Sequence, residues 1–552
     1  MKRLFIKLSA IIVTMVLMSG CTEDNRTARL LKYVPSTADF VFVGDVRNAL
    51  ESAGGSTEQS KIKLPAFITE IMDDDSMEEL DKGNDVLKRS GIDIDACGVF
   101  FNYRNSGPEH PVLVFSLADR QKFVDLIEDK GYRDYDEENG VTFYKYRTYE
   151  SDDHDYDDYS YIAVGQDFGY WIHEVWVGSE FKAENTLRNI VDDLKDGTFA
   201  DTPLGSYAGK GNALGLAARI PEGREFKALQ NFPVGAFCMY GDLDGDAITI
   251  NSKTFDRDGK DIKDEVFADY YDTKARINPE ALSFLGRDEA MVLAVSLKNF
   301  NWDKIIEMAE KEGTLSRSER AMASAVTSYL EKIDGTIAIG LGVTDGMSSF
   351  YKLAMEKDIF TELSATIVVE TKEGKAKTVL NDLKGIMEQQ EINFTDTPDG
   401  FEISDESAGT VYAKRVDNVL VFSTHPIKRD AGNEALKQVD FSGHMGAFAI
   451  VLNHKDKLLQ DLTVSNDIKM TAFSDRSGTD GVFRLEITGG KGKGGVLAKM
   501  AEIIKGIYDN REALARGFNR YGAYDDDFSF DDDDEEEAVE DYAVADTVAY
   551  CE

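Results

Sequence analysis

Gly490, Gly492 and Gly495 stand in the spacing G-x-G-x-x-G, after an alternating strand pattern and before helical sequence. In that setting backbone N–H groups can cradle a dinucleotide pyrophosphate. The reading also needs a second parallel strand ending in an acidic residue about 20 residues on. The sequence instead runs through one helical pattern into an acidic tail, so the glycines read as a linker around Lys491 and Lys493. No Ser or Thr follows a Gly-Lys where a Walker loop requires it. Asp242-Leu243-Asp244-Gly245-Asp246 imitates the start of a calcium loop, yet Ala247 and Lys253 stand where glycine and a carboxylate are required. An Asp-Gly hairpin tip is the better reading.

Histidines are scarce: His110, His154, His173, His425, His444 and His454, with no pair at metal-binding spacing. His444 and His454 bracket an apolar strand and read as capping its ends. No G-x-S-x-G elbow is present and no cysteine has a basic neighbour, so nucleophilic catalysis lacks a candidate. Asp152, Asp153, Asp155, Asp157 and Asp158 make a repulsive, hydrated stretch rather than a calcium motif. Trp171 and Trp176 with Phe168 and Tyr170 could stack on a sugar, but such residues belong more often to a core or sheet face. Pairs of Asp and Glu are abundant enough for a glycosidase to be concealed among them. No cofactor and no metal is therefore expected.

The elements that would position these residues follow one plan used twice. Asp39 to Val46 and Glu289 to Ser296 are apolar strands leading into helical sequence. Ile94 to Phe100 is answered by Ile333 to Ile339, and Pro111 to Ser116 by Ala365 to Glu370. Each of the last pair precedes an amphipathic helix, expected to end at Lys130-Gly131 and at Lys384-Gly385. Leu214 to Ala218 is answered by Gly446 to Ile450, and the halves close on alternating strands, Asp246 to Phe255 and Gly481 to Thr488. Alternation implies antiparallel pairing with one wet face. The fold class expected is α+β: two related modules, 33–275 and 276–490, each a largely antiparallel sheet with helices on one side. Arg133 to Ser160 reads as a solvated loop between strands at Val141 to Tyr146 and Tyr161 to Val164. A final helix is expected within 491–520.

The charge of −40 over 552 residues is uneven, since Tyr521 to Glu552 holds fourteen acidic residues and no Lys or Arg. Such a run cannot bury enough surface to order itself. An acidic body disfavours nucleic acid, which needs concentrated Lys and Arg, and anionic lipid headgroups equally. Cys97 and Cys238 lie in apolar runs and read as buried thiols, with a disulfide the lesser reading; Cys551 falls in the tail.

The start of the chain has its own chemistry. Lys2, Arg3 and Lys7 precede an apolar run from Leu8 to Met18, and Ser19-Gly20-Cys21 supplies small residues and a thiol. That is the pattern of a signal peptide (1–20) removed by a lipoprotein signal peptidase, leaving lipid on Cys21 and a tether over 21–32. Each buried methylene of such acyl chains contributes about 0.8 kcal/mol, so two or three chains anchor stably.

Together with Tyr33-Val34-Pro35-Ser36-Thr37-Ala38-Asp39 and the two halves, the leader resembles a family of Bacteroidetes lipoproteins catalogued as a domain of unknown function. The acidic Glu23 and Asp24 after Cys21 resemble the surface-export signal of such proteins. The resemblance implies no activity and no catalytic residues. The expected protein is an outer-membrane lipoprotein facing the periplasm or the cell surface. It would be held to the membrane by lipid on Cys21 and bind or scaffold an envelope protein or glycan without catalysis. The alternative is a carbohydrate-processing or other hydrolase with dispersed carboxylates.

Overall fold

The computed structural model describes residues 26–58, 61–69, 72, 74–94, 97–103, 111–149, 158–176, 183–220, 233–311, 327–354, 359–405, 409–475, 480–490 and 494–510. Cys21, His110, His154, Gly492, Cys551 and the acidic tail lie outside them, as do the side chains of Cys97, His173 and Trp176.

In chain order the first half supplies β1 (Phe40–Asp45), β2 (Ser56–Glu58), β3 (Lys61–Lys63), β4 (Cys97–Asn102), β5 (Pro111–Ser116), β6 (Arg133–Glu138), β7 (Val141–Tyr149), β8 (Asp158–Val164), β9 (Phe168–Trp176), β10 (Leu214–Arg219), β11 (Ala236–Asp244) and β12 (Ala247–Phe255). The second supplies β13 (Met291–Ser296), β14 (Ile333–Val343), β15 (Leu363–Thr371), β16 (Thr395–Thr397), β17 (Gly400–Asp405), β18 (Gly409–Val416), β19 (Val419–Ser423), β20 (Gly446–Leu452), β21 (Asn466–Asp475) and β22 (Asp480–Gly489). β2 and β3 form a separate ribbon, and the other 20 strands form one sheet.

Every pairing is antiparallel. Hydrogen bonding leads from β6 through β7, β8, β9, β5, β4, β1, β10 and β11 to β12. β12 then pairs with β22, joining Ala247 to Glu486 and Lys253 to Asp480. From β22 the sheet continues through β21, β20, β13, β14, β15, β19, β18 and β17 to β16. The chain is thus a mixed α+β protein built on a single antiparallel sheet.

Alternation sets which side chains are buried. Val41, Val43, Val112 and Val114 point into a core with Leu30, Leu31, Leu187, Ile190 and Leu204, supplied by helical segments 26–31, 183–193 and 203–208. On the same face farther along, Val292, Ala294, Val368 and Val421 pack with Leu282, Leu285 and Phe441. The opposite face is covered in three places. Helix Arg120–Asp129 sets Phe123, Val124 and Ile127 against Phe115 and Ile162. Helix Ala376–Gln389 sets Ala376 and Leu380 against Phe401 and Leu420. Helix Val496–Asp509 lays Leu497, Met500 and Ile503 over Leu485, Ile487 and Ile248.

Four expectations change. Helices cover both faces rather than one: Val114 and Phe115 are neighbours on β5, point opposite ways, and each meets helical residues. Arg133–Glu138 is an edge strand, not a loop, because Asn139 and Gly140 adopt positive φ (53° and 77°) and turn the chain back onto β7. The helix after β15 runs through Lys384-Gly385 to Gln389 and stops where Glu391 takes positive φ (57°). Its counterpart does end at Lys130, before Gly131 at φ 97°. Finally, helix Arg26–Leu31 occupies the expected tether, and Leu30 and Leu31 are buried.

Candidate functional site

Between the two cores that share a face, the central strands present a polar floor. Cross-strand rows run Thr471–Arg484–Thr249–Asp242 and Phe473–Val482–Asn251–Tyr240 across β21, β22, β12 and β11. A third row places Lys469 opposite Glu486. Over β21 and β22 lies a cleft of about 300 Å³, walled by Gln438, Val439, Asp440 and His444. Those wall residues come from the end of helix Glu434–Gln438 and the chain that leads into β20.

The floor is held by its own hydrogen bonds. Arg484 donates from Nη1 to Thr249 Oγ1 at 2.9 Å across the β12–β22 seam, and its Nε lies 3.5 Å from Glu486 Oε2. Lys469 Nζ donates to the Gln438 carbonyl at 3.1 Å, tying floor to wall. The His444 ring stacks on Phe473 with centroids 4.0 Å apart, giving a flat aromatic side. Asp440 accepts from the Ser442 hydroxyl and N–H at 2.7 and 2.9 Å, which holds its carboxyl below the ordinary range. A second, apolar groove of about 290 Å³ lies on the opposite face between Leu383 and Ile386 on the helix and Ile333, Val369 and Phe422 on the strands.

Behind the cleft wall is a cluster that sequence reasoning missed. The Glu289 side chain is fully buried and accepts from the Gly286 N–H at 2.7 Å and the Thr366 hydroxyl at 2.5 Å. His425 Nε2 lies 3.0 Å from the same carboxylate, and this contact raises the imidazole pKa against the opposing effect of burial. Imidazole, carboxylate and hydroxyl together suggest a nucleophilic relay. The geometry does not fit one, because Thr366 donates to Glu289 and both meet the same ring nitrogen. Asn433 Nδ2 donates to the carbonyls of Gly286 and Glu289 at 2.7 and 2.9 Å. The signal available was a carboxylate, Glu289, at the start of one apolar run and a histidine, His425, two residues past the end of the apolar run Val419–Ser423.

Other buried carboxylates are likewise occupied. Glu370 accepts from Asn278 Nδ2 at 2.5 Å and the Thr336 N–H at 2.6 Å. Burial pushes the Glu362 carboxyl up, but the Lys352 ammonium and the hydroxyls of Ser349 and Thr344 outweigh it and hold the group low.

The sequence candidates are dispersed. Asp244 pairs with Ala247 around Gly245 and Asp246, so the calcium-like stretch is a hairpin tip. Gly495 precedes helix Val496–Asp509, whose first N–H donates to the Gly245 carbonyl at 2.8 Å rather than standing open to an anion. Tyr170 is buried, and the half-buried Trp171 packs beside the core under helix Arg120–Asp129 and donates its indole N–H to Ser160 at 2.8 Å. Cys238 is a buried free thiol. His454 pairs with Asp467 at 2.7 Å where β20 ends, and His444 flanks its start. Among the described residues, no group of three His, Cys, Asp or Glu is placed to hold a metal.

No protein-family model matches the chain, and no curated protein does. Among solved structures, crystal form III of TP0453 aligns at 15% identity over 42% of this chain and 80% of that one, with a TM-score of 0.24. Crystal form IV aligns at 16% identity over 40% and 79%, with a TM-score of 0.22. At these scores the likeness supports no conclusion about this chain.

Proposed function

We propose that this chain is a lipid-anchored cell-envelope protein that binds or scaffolds a partner without catalysing a reaction. Its body is one ten-strand plan used twice and joined edge to edge at β12–β22. Supporting the repeat, the pairing order β6–β7–β8–β9–β5–β4–β1–β10–β11–β12 has a strand-for-strand counterpart in β16–β17–β18–β19–β15–β14–β13–β20–β21–β22. Ile250 and Phe483, near the middle of the two joining strands, pair with each other. The leader ending at Cys21 and the Tyr33-Val34-Pro35-Ser36 phrase support an outer-membrane lipoprotein of the Bacteroidetes family of unknown function. No described helix is long and apolar enough to cross a membrane.

The observation that carries the binding reading is the cleft, whose floor needs both halves: Thr249 from one fixes Arg484 from the other. A hydrolase of the glycosidase type needs a carboxyl with raised pKa to donate a proton near neutrality. In the cleft, the Ser442 hydroxyl and N–H hold the Asp440 carboxyl low, the opposite of what a proton donor there would need, which favours binding. The test is turnover of polysaccharide and peptide substrates by the full chain, with Glu486→Gln beside it. No turnover is expected; turnover that Glu486→Gln abolishes sinks the non-enzymatic reading.

A further inference from the structure

We propose that the protonation state of His425 sets the position of the cleft wall, making the cleft responsive to pH. The proposal rests on the cleft being the binding site only for its biological consequence; the mechanical coupling is independent of any ligand.

The pair occupies a space cleared for it. A Cβ on Gly286 would lie 2.3 Å from His425 Nε2, and one on Gly340 would lie 2.0 Å from Glu289 Oε2. Two glycines thus leave room for an imidazole and a carboxylate in the interior. Glu289 itself has 0% side-chain exposure while His425 keeps 29%, so solvent can deliver and remove the imidazole proton although the carboxylate is sealed.

From this pair a continuous set of hydrogen bonds reaches the wall. The Glu289 carboxylate fixes the Gly286 N–H, and the carbonyls at both ends of that turn accept from Asn433. Asn433 in turn caps helix Glu434–Gln438, its Oδ1 accepting from the Leu436 N–H at 3.1 Å. The helix delivers Gln438, Val439 and Asp440 to the cleft. The charged groups around the pair are few. Asp288 in the turn adds to the effect of Glu289 on His425, and Arg287 acts on Glu434, which is bonded to Lys437 at 2.6 Å. β15 and β19 bring the hydroxyls of Thr366 and Ser423 to the pair.

Protonated His425 supplies the countercharge that a buried carboxylate requires. Because the pair raises the histidine pKa, its contribution is complete below the unfolded value and is lost as pH rises through the folded value. Above that point Glu289 is left buried without a cation, and the turn, the Asn433 bridge and the helix cap relax together.

The test follows His425 by carbon-13 histidine NMR in the full chain. In parallel it measures hydrogen-exchange protection of the 436–438 amides, corrected for intrinsic rate, from about pH 5 to about pH 9. Protection should fall along the His425 titration, by about tenfold for each unit by which the pair raises its pKa. His425→Gln, which keeps a donor but no titration, should flatten the profile. Asn433→Ala should leave His425 titrating while the helix amides cease to follow, and it reads out the coupling even if His425→Gln does not fold. Constant wild-type protection through the titration, or an unchanged profile in Asn433→Ala, overturns the proposal. Failure to find any ligand for the cleft would leave these readouts intact and count against the binding reading alone.

Discussion

Gly340→Ala adds one methyl group directly against the buried Glu289 carboxylate. The new methyl carbon would sit 2.0 Å from Glu289 Oε2, 2.7 Å from its carboxyl carbon and 3.1 Å from Leu285 Cδ2. Backbone on both sides is fixed, since Gly340 pairs with Val292 and with Thr366 in the middle of the sheet. The carboxylate must therefore move, and it cannot do so while keeping the donors on Gly286, Thr366 and His425. Hydrogen bonds to a charged group contribute about 1.5–3 kcal/mol each. Partial loss of three, with the charge still buried, gives a cost of about 3–5 kcal/mol. The assay is urea denaturation followed by tryptophan fluorescence, with Trp302 reporting on the second half. Gly385→Ala is the control: it lies within a helix with nothing inside 4 Å, so it should stabilise by about 0.5–1 kcal/mol. A Gly340→Ala midpoint indistinguishable from wild type would refute the crowded carboxylate.

Burial pushes the Cys238 thiol up to about 12, so thiolate-directed alkylation should spare it in the native protein and modify it in urea, as read by peptide mass spectrometry. Native labelling of Cys238 would contradict its place in the core. Acid should remove the contribution of Glu362: with its pKa held low, that stability is present above the unfolded value and disappears as pH falls through the folded one. Lys352→Met, at a site 31% exposed, should cost about 1–3 kcal/mol and weaken that acid dependence; an unchanged acid profile counts against the pair. At the seam, Asn251 and Val482 are directly opposed, so Asn251→Cys with Val482→Cys should cross-link on mild oxidation. Thiols that remain free in the folded double variant would argue against β12–β22 pairing.

Strand identity was legible because alternation is strong: Phe40 to Val43 and Pro111 to Ser116 each place every second side chain in a core. The β12–β22 seam was not, because both strands carry polar residues on one face and look like ordinary edges; Thr249 and Arg484 give no hint of each other. Asn139-Gly140 was a hairpin signal hidden by the charge of its surroundings. The Lys-Gly helix ending held at Gly131 but not at Gly385, since glycine permits a left-handed stop without compelling it. The Glu289 cluster draws on residues far apart in sequence: the Thr366 hydroxyl joins the Gly286 N–H as donor to the buried carboxylate, in space that Gly340 leaves open.

Anchoring by lipid on Cys21 remains the claim on which the proposed role depends, and membrane fractionation of the full chain tests it most directly. Wild-type protein should sediment with membranes, and Cys21→Ala should appear in the soluble fraction with an unchanged urea midpoint. A folded Cys21→Ala protein that stays with the membrane would contradict the account.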